Sequence, residues 1–201
     1  MLPGPDMYKH CSSCHQLIIE ETLMSGNTFG AIYWSDGKRE APMLPKTPWL
    51  ITCPHCKALL WIDALEKQIN ISSSEKKKAL HYTTPSFNDY LSLLPLKKPS
   101  LRKETYLRVQ AWWTSNDKRR DKPLLMTPIE QQNALALAEV LDESDTNNVL
   151  MKAEIFREVE DFETAMTLLE RIQDSAYEKP VMFLKRHVEE KNPFVKQLIF
   201  D

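Results

Sequence analysis

Two spacings of hydrophobic residues divide the chain into regions of different secondary structure. Residues 29–44, FGAIYWSDGKREAPML, alternate around Asp36-Gly37 and contain β-prone side chains, which predicts a β-hairpin with a type I′ turn. Further along, apolar residues recur at i, i+3, i+4 and i+7, as on one face of an α-helix. They are Ala134, Leu137, Ala138 and Leu141. The two patterns predict a mainly α fold with a small β region near its start.

Helix-start signals recur from residue 86 onward. Ser86, Ser100 and Thr127 each stand at an N-cap position, and Pro128-Ile-Glu130 after Thr127 completes a capping box. All four glycines fall within the first 37 residues, and glycine is the usual residue for turns with positive φ. Residues 86–201 are therefore predicted to be all-helical, with residues 66–85 as an exposed connecting segment.

The cysteines form two C-x-x-C pairs. They are Cys11 with Cys14 and Cys53 with Cys56. A C-x-x-C turn places two sulfurs on one side of a tight loop, at the separation of neighbouring corners of a tetrahedron. Two such turns supply four thiolates, which is the closed, soft ligand set that suits one structural Zn2+ ion.

Together with the hairpin between the two pairs, residues 8–65 resemble a zinc ribbon, and Pro54 inside CPHC is a common residue of its metal-binding turns. The resemblance implies a ribbon domain at residues 1–65. One departure concerns the position after the second cysteine of each pair, where glycine is frequent. His15 and Lys57 occupy these positions here.

Three other interpretations of the cysteines stay open. The four thiols could be ordinary buried side chains, or Cys53 and Cys56 could form a redox dithiol similar to a thioredoxin-type site. The redox interpretation needs a helix that starts at Cys53, whereas the strand-like LLWI follows it. A histidine beside the cysteines, His10, His15 or His55, could also replace one thiolate. Four thiolates leave no open position for water, so the zinc is expected to be structural and not catalytic.

Residues 149–172, VLMKAEIFREVEDFETAMTLLERI, resemble a tetratricopeptide unit. The residues that carry the resemblance are Ala153, Phe156, Phe162, Ala165 and Leu169. The resemblance implies two antiparallel helices, with small alanines where they cross and phenylalanines in the cleft. It extends to the expectation of a helical-hairpin, TPR-like array in the C-terminal two-thirds of the chain. A generic helical hairpin is the alternative.

Charge is segregated along the chain. The net charge of −2 combines −1 in residues 1–65, +7 in residues 66–122 and −8 in residues 123–201. Within the basic segment 97–122, Trp112-Trp113 precede a cluster of cations, Lys118, Arg119, Arg120 and Lys122. This arrangement suits nucleic acid, because aromatic rings stack on bases and cations neutralise phosphates. The alternatives are that the tryptophans pack in the core and that the basic segment docks on the acidic region.

The predicted function follows from what the sequence contains and lacks. It contains no G-x-S-x-G elbow, glycine-rich phosphate loop or H-E-x-x-H motif, so no enzymatic activity is expected. The first hypothesis is a protein-interaction adaptor or regulatory subunit with structural zinc. The alternatives are a nucleic-acid-binding protein that uses the ribbon and residues 97–122, and an enzyme with an interdomain site.

Two expectations concern location and assembly. No apolar run has the length of a membrane span and the first residues lack the pattern of a signal peptide, so a cytoplasmic protein is predicted. The last residues are too apolar for a free tail. They include Phe194, Leu198, Ile199 and Phe200. This segment is predicted to cap the helical stack or, alternatively, to form a homodimer interface.

Overall fold

The computed structural model describes residues 1–97, 99–120 and 122–199, and it is mainly helical with short strands. Contacts divide the chain into two compact units. Residues 1–31 and 40–89 form the first, which holds all four cysteines and is called the cysteine unit below. The second, called the helical unit, comprises residues 32–39 and the described residues after 89. The sequence predicts domain boundaries at residues 65 and 85. Whether the parts on either side of them fold independently stays a prediction.

Ten strands and seven α-helices lie within the described ranges. The strands are β1 Leu2–Pro3, β2 Met7–His10, β3 Leu17–Glu20, β4 Leu23–Ser25, β5 Ile32–Tyr33, β6 Arg39–Glu40, β7 Leu50–Thr52, β8 Leu59–Trp61, β9 Lys67–Gln68 and β10 Leu80–His81. The helices are α1 Ser73–Lys76, α2 Phe87–Lys97, α3 Leu101–Asp117, α4 Pro128–Val140, α5 Thr146–Glu158, α6 Phe162–Glu170 and α7 Glu178–Glu189. No helix in these ranges has the length and apolar character needed to cross a lipid bilayer.

Two β-hairpins form the centre of the cysteine unit. β2 and β3 pair antiparallel within a sheet of order β10-β3-β2-β9, and β7 pairs antiparallel with β8. The buried side chain of Lys9 connects the hairpins, because its Nζ lies 3.0 Å from Glu20 and donates to the Ile62 carbonyl at 2.6 Å. The core beneath them consists of Cys11, Ile18, Ile51, Cys53, Leu60, Ile62 and Leu65. Two of the cysteines are therefore part of this hydrophobic core.

Residues 66–85 contain the short elements β9, α1 and β10. The helix α1 starts with a capping box between Ser72 and Glu75, and β10 runs parallel to β3. Each element spans only two to four residues. The hydrophobic pattern does not predict them, because a segment this short completes about one period of a helix or strand.

The hairpin at residues 32–39 forms as predicted, but its turn is of another type. A type I′ turn needs positive φ at both central residues, and of the Asp36-Gly37 pair only Gly37 has it, with φ 75°. The Trp34 amide donates to the Lys38 carbonyl at 2.9 Å, so three residues form the loop. The predicted type I′ turn is therefore wrong, and glycine supplies the single left-handed position that a three-residue loop requires.

Hydrophobic contacts between successive helices hold the helical unit together. α3 packs against α4, α4 against α5, α5 against α6, and α6 against α7. Thr127 and Glu130 form the predicted capping box at the start of α4. Ser100 precedes α3 as predicted, although its side chain makes no capping hydrogen bond.

Helices α5 and α6 form a helical hairpin at the predicted position. The short turn between them contains Glu160, which has a φ of 66° where glycine is frequent in the resembled family. Ala153, Ala165 and Leu169 are almost fully buried in one cluster. Phe156 and Phe162, partly buried, pack against that cluster. All five side chains therefore pack in or against one cluster of the helical unit, while the tetratricopeptide-like array stays a prediction.

The described part of the C-terminal segment lies against the hairpin of its own helical unit. Val195 is 1% exposed, Ser35 N donates to the Lys196 carbonyl at 2.8 Å, and Leu198 N donates to the Tyr33 carbonyl at 2.8 Å. Ile199, at 67% exposure, is mostly solvent-exposed. Phe200, which the apolar tail was predicted to include, lies outside the described residues, and homodimerisation stays a prediction.

Candidate metal centre

Each C-x-x-C pair forms the turn of one β-hairpin. Cys11 directly follows β2 and Cys14 precedes β3, while Cys53 follows β7 and Cys56 precedes β8. The two turns have the same pair of backbone hydrogen bonds. In each turn the amide of the first cysteine donates to the carbonyl five residues later, and the carbonyl of the first cysteine accepts from the amide four residues later. These bonds are Cys11 N to Gln16 O, 3.0 Å; His15 N to Cys11 O, 2.9 Å; Cys53 N to Ala58 O, 2.9 Å; and Lys57 N to Cys53 O, 3.0 Å.

The residues after the second cysteines have left-handed backbones. His15 has a φ of 57° and Lys57 a φ of 64°, a conformation in which glycine carries no steric cost. The sequence departs from the usual glycine at these positions, but the backbone keeps the conformation that glycine would supply. The two turns therefore present their cysteines in the same way.

The turns bring all four sulfurs together. Every pair of Sγ atoms lies within 4.8 Å. Across the two turns, Cys11 Sγ is 3.7 Å from Cys56 Sγ, and Cys14 Sγ is 3.8 Å from Cys53 Sγ. A tetrahedral ion with sulfur ligands at about 2.3 Å has sulfurs about 3.8 Å apart. The four thiols are free, so the arrangement fits a metal ion such as zinc and not a pair of disulfides.

None of the three neighbouring histidines belongs to the sulfur group. His10 Nδ1 donates to the His15 carbonyl at 2.8 Å, and His55 Nε2 donates to the Leu17 carbonyl at 3.2 Å. His15 is exposed. The hydrogen bond from His55 joins the second turn to the strand after the first turn, so this side chain supports the ligands without being one.

The surroundings of the two buried thiols shift their pKa values in opposite directions. Burial raises the pKa of Cys53 to about 12. Burial also opposes ionisation of Cys11, but hydrogen bonds from the Cys14 and Ser13 amides outweigh it and lower the pKa of Cys11 to about 7. A metal ion takes thiolates, so its binding releases the Cys53 proton and its affinity falls as the pH falls.

The two tryptophans and Arg119 of the basic segment make contacts inside the helical unit. Trp112 is 1% exposed and its Nε1 donates to Glu158 at 3.2 Å, while Trp113 Nε1 donates to the Asp36 carbonyl at 3.0 Å. Arg119 is also buried, with its guanidinium 3.5 Å from Glu158. Lys98 and Asp121 of this segment lie outside the described residues. Both tryptophans thus serve packing and hydrogen bonding here.

The helical unit contains a cluster of buried charges that the sequence did not predict as a cluster, although Arg119 and Arg120 were candidate phosphate-binding residues. The carboxylates of the cluster are Asp36, Glu154 and Glu158, and its guanidinium groups are those of Arg119, Arg120 and Arg157. Three acids thus face three arginines. The spacing of Glu154, Arg157 and Glu158 on α5 is the only local signal of this cluster, because the other members come from distant parts of the chain.

Glu158 is the carboxylate most affected by burial. Burial raises the pKa of Glu158 well above its ordinary value, and the charges of Glu154 and Asp36 raise it further. The folded protein therefore keeps this proton at pH values where the unfolded chain has lost it. The free energy of unfolding consequently falls as the pH rises above the unfolded pKa of about 4.3.

Replacement of Glu158 with Gln tests this pH dependence. The amide is not ionisable, and its one oxygen keeps one of the two acceptor positions, which receive Trp112 and Asn116 in the wild type; the bond lost at the other position is a cost that does not depend on pH. As the pH rises from about 5 to about 8, the wild type should lose unfolding free energy through Glu158 and the variant should not, so the stability of the variant relative to the wild type should increase. Urea unfolding across this interval measures the difference, and a pH-independent difference would contradict the raised pKa.

No protein-family model, curated protein or solved structure matches the chain. The zinc-ribbon and tetratricopeptide resemblances thus rest on the residues of this chain alone.

Proposed function

We propose that the protein is a protein-interaction adaptor or regulatory subunit in which one Zn2+ ion, held by Cys11, Cys14, Cys53 and Cys56, has a structural role. The convergence of four sulfurs within 4.8 Å carries this proposal. A four-thiolate shell has no open position for water or substrate, so the ion stabilises the fold and performs no chemistry. The proposal therefore assigns no enzymatic activity to this ion, and a reducing compartment such as the cytoplasm suits the free thiols.

The partner surface is assigned to the helical unit. Its α5–α6 hairpin has the small residues and phenylalanines of a tetratricopeptide unit, and we take kinship with that family as part of the proposal. Stacked helical hairpins commonly present extended surfaces for peptides and proteins. The cysteine unit is proposed to be a zinc ribbon that contributes folding energy from the bound ion.

The burial of Arg119 and the ion pair of Arg120 weigh against the nucleic-acid alternative. Arg119 lies buried 3.5 Å from Glu158 and Arg120 pairs with the buried carboxylate of Asp36, so a protein that bound phosphate through them would first have to break these contacts. Lys118 and Lys122 are the exposed cations of the cluster after Trp113. A test of nucleic-acid binding therefore changes these two lysines, because changing the arginines would also destabilise the fold.

Isolation of the native complex tests the proposed function. Zinc-loaded, tagged full-length protein is recovered from its native source, treated with nuclease and analysed for bound protein. We expect a protein that remains bound in a fixed ratio after nuclease treatment. Recovery of nucleic acid alone, with an affinity that falls steeply with salt and falls further in a Lys118→Ala, Lys122→Ala variant, would instead support the alternative.

A further inference from the structure

A groove with cationic and aromatic lining lies within the helical unit. Its volume is about 550 Å³, which is within the range of ligand-binding sites. The lining residues that matter here are Trp34, Arg120, Lys122, Phe183, Phe194 and Lys196. Trp34 comes from the hairpin and Phe183 from α7, so distant parts of the sequence form the groove. Exposed lining residues such as Lys122 leave it open to solvent.

The groove carries positive charge without a matching carboxylate. Asp36 and Asp117 already compensate Arg120, at 2.8 and 2.9 Å. Lys122 and Lys196 make no ion pair with any residue in the described ranges, and the described lining contains no acidic residue. Two lysines without a carboxylate partner in the described ranges therefore line a groove whose described lining has no acidic residue, which gives it electrostatic complementarity to an acidic ligand.

Trp34 lines the groove and carries a buried donor without a partner among the described residues. The residue is 8% exposed, and its indole Nε1 is buried without a hydrogen-bond acceptor among the described residues. Buried donors in folded proteins almost always have an acceptor.

We propose that this groove binds an acidic peptide segment of the partner protein, with carboxylates at Lys122 and Lys196 and an apolar side chain against Phe183 and Phe194. This inference rests on the proposed adaptor function. A peptide fits better than nucleic acid because the Arg120 guanidinium covers the Trp34 ring at 4.4 Å and leaves that face closed to a base. The open form of the groove also suits an extended segment.

Fluorescence anisotropy with the full-length, zinc-loaded protein tests the proposal. The probe is a fluorescein-labelled peptide, Asp-Glu-Phe-Asp-Glu, and its control is the uncharged Asn-Gln-Phe-Asn-Gln. We expect the acidic peptide to bind more tightly, and Lys122→Glu with Lys196→Glu to weaken its binding by about tenfold. Lys185→Glu is the matched control, because this lysine is on the same helix as Phe183 but outside the lining; it should bind as wild type does.

Three results would overturn the proposal: equal binding of the two peptides, equal effects of the groove and control variants, or displacement of the peptide by single-stranded oligonucleotide at the same lysines. The native partner separates this proposal from the adaptor function. If the partner remains bound to the Lys122→Glu, Lys196→Glu variant, the groove proposal is wrong and the adaptor function stands. If the peptide binds with the expected lysine dependence but no protein is captured, the groove's preference for acidic peptide stands, and the adaptor function and the partner protein as source of the peptide are wrong.

Discussion

Replacing Cys53 with Ser is expected to unfold the cysteine unit and to release its metal ion, while most of the helical signal remains. Cys53 is fully buried in the same core cluster as Cys11, Ile18 and Ile51. The free energy of metal binding is also folding free energy, and for zinc-finger peptides it amounts to about 10–16 kcal/mol. Loss of one of four thiolates therefore removes much of the stability of a unit with short strands and a small core.

Elemental analysis and circular dichroism measure this result. Wild-type protein should contain one zinc ion per chain, and the variant much less. His15→Asn is the matched control, since asparagine tolerates the positive φ of this position and His15 supplies no sulfur. This control should keep its metal. A cysteine unit that stays folded without metal, or a disulfide between Cys53 and Cys56 under reducing conditions, would contradict the proposed zinc site.

Replacing Asp36 with Ala is expected to destabilise the helical unit by about 3 kcal/mol or more, the cost of breaking a buried ion pair. One oxygen of this fully buried carboxylate accepts from Arg120 at 2.8 Å and Asn116 at 2.9 Å, and the other from the Lys38 amide at 3.0 Å. Alanine leaves these donors without that acceptor in a site that water does not reach. Chemical denaturation followed by helical circular dichroism gives the free energy of unfolding.

The matched control is Asp117→Ala. Asp117 also accepts from Arg120, at 2.9 Å, and pairs with Lys38, but its side chain is 42% exposed. A solvent-exposed pair is worth about 1 kcal/mol or less, so this variant should lose much less stability. Equal losses in the two variants would show that the burial of Asp36 does not determine its contribution.

The approach of the two sulfurs within each C-x-x-C pair could be predicted from the sequence because its geometry is local. Two residues between paired cysteines bring their sulfurs to one side of a turn, whatever the rest of the chain does. Helix starts are local for the same reason, and Thr127 forms its capping box as predicted. The left-handed backbones at His15 and Lys57 were less evident, because the cue for this conformation is usually glycine.

The buried charge cluster could not be predicted because its contacts join distant residues. Asp36 next to Gly37 has the signature of an exposed turn, yet its partner Asn116 lies 80 positions away. In the sequence, Glu154 and Glu158 are one helical turn apart and are typical of a solvated helix face. In the structure, Arg157 pairs with Glu154 and Arg119 lies beside Glu158. Sequence periodicity records which residues share a face, but not which charges meet across elements.

The position of the hairpin in the chain bears on the order in which the protein folds during its synthesis. Residues 32–39 leave the ribosome between the two cysteine pairs, but Ser35 accepts a hydrogen bond from Lys196, which is added 161 residues later. Until then, Trp34 and Asp36 lack the cover that the later helices and C-terminal segment provide. A nascent chain that already holds both cysteine pairs therefore still exposes an apolar ring and a carboxylate, and the helical unit closes only after Lys196 has been synthesised.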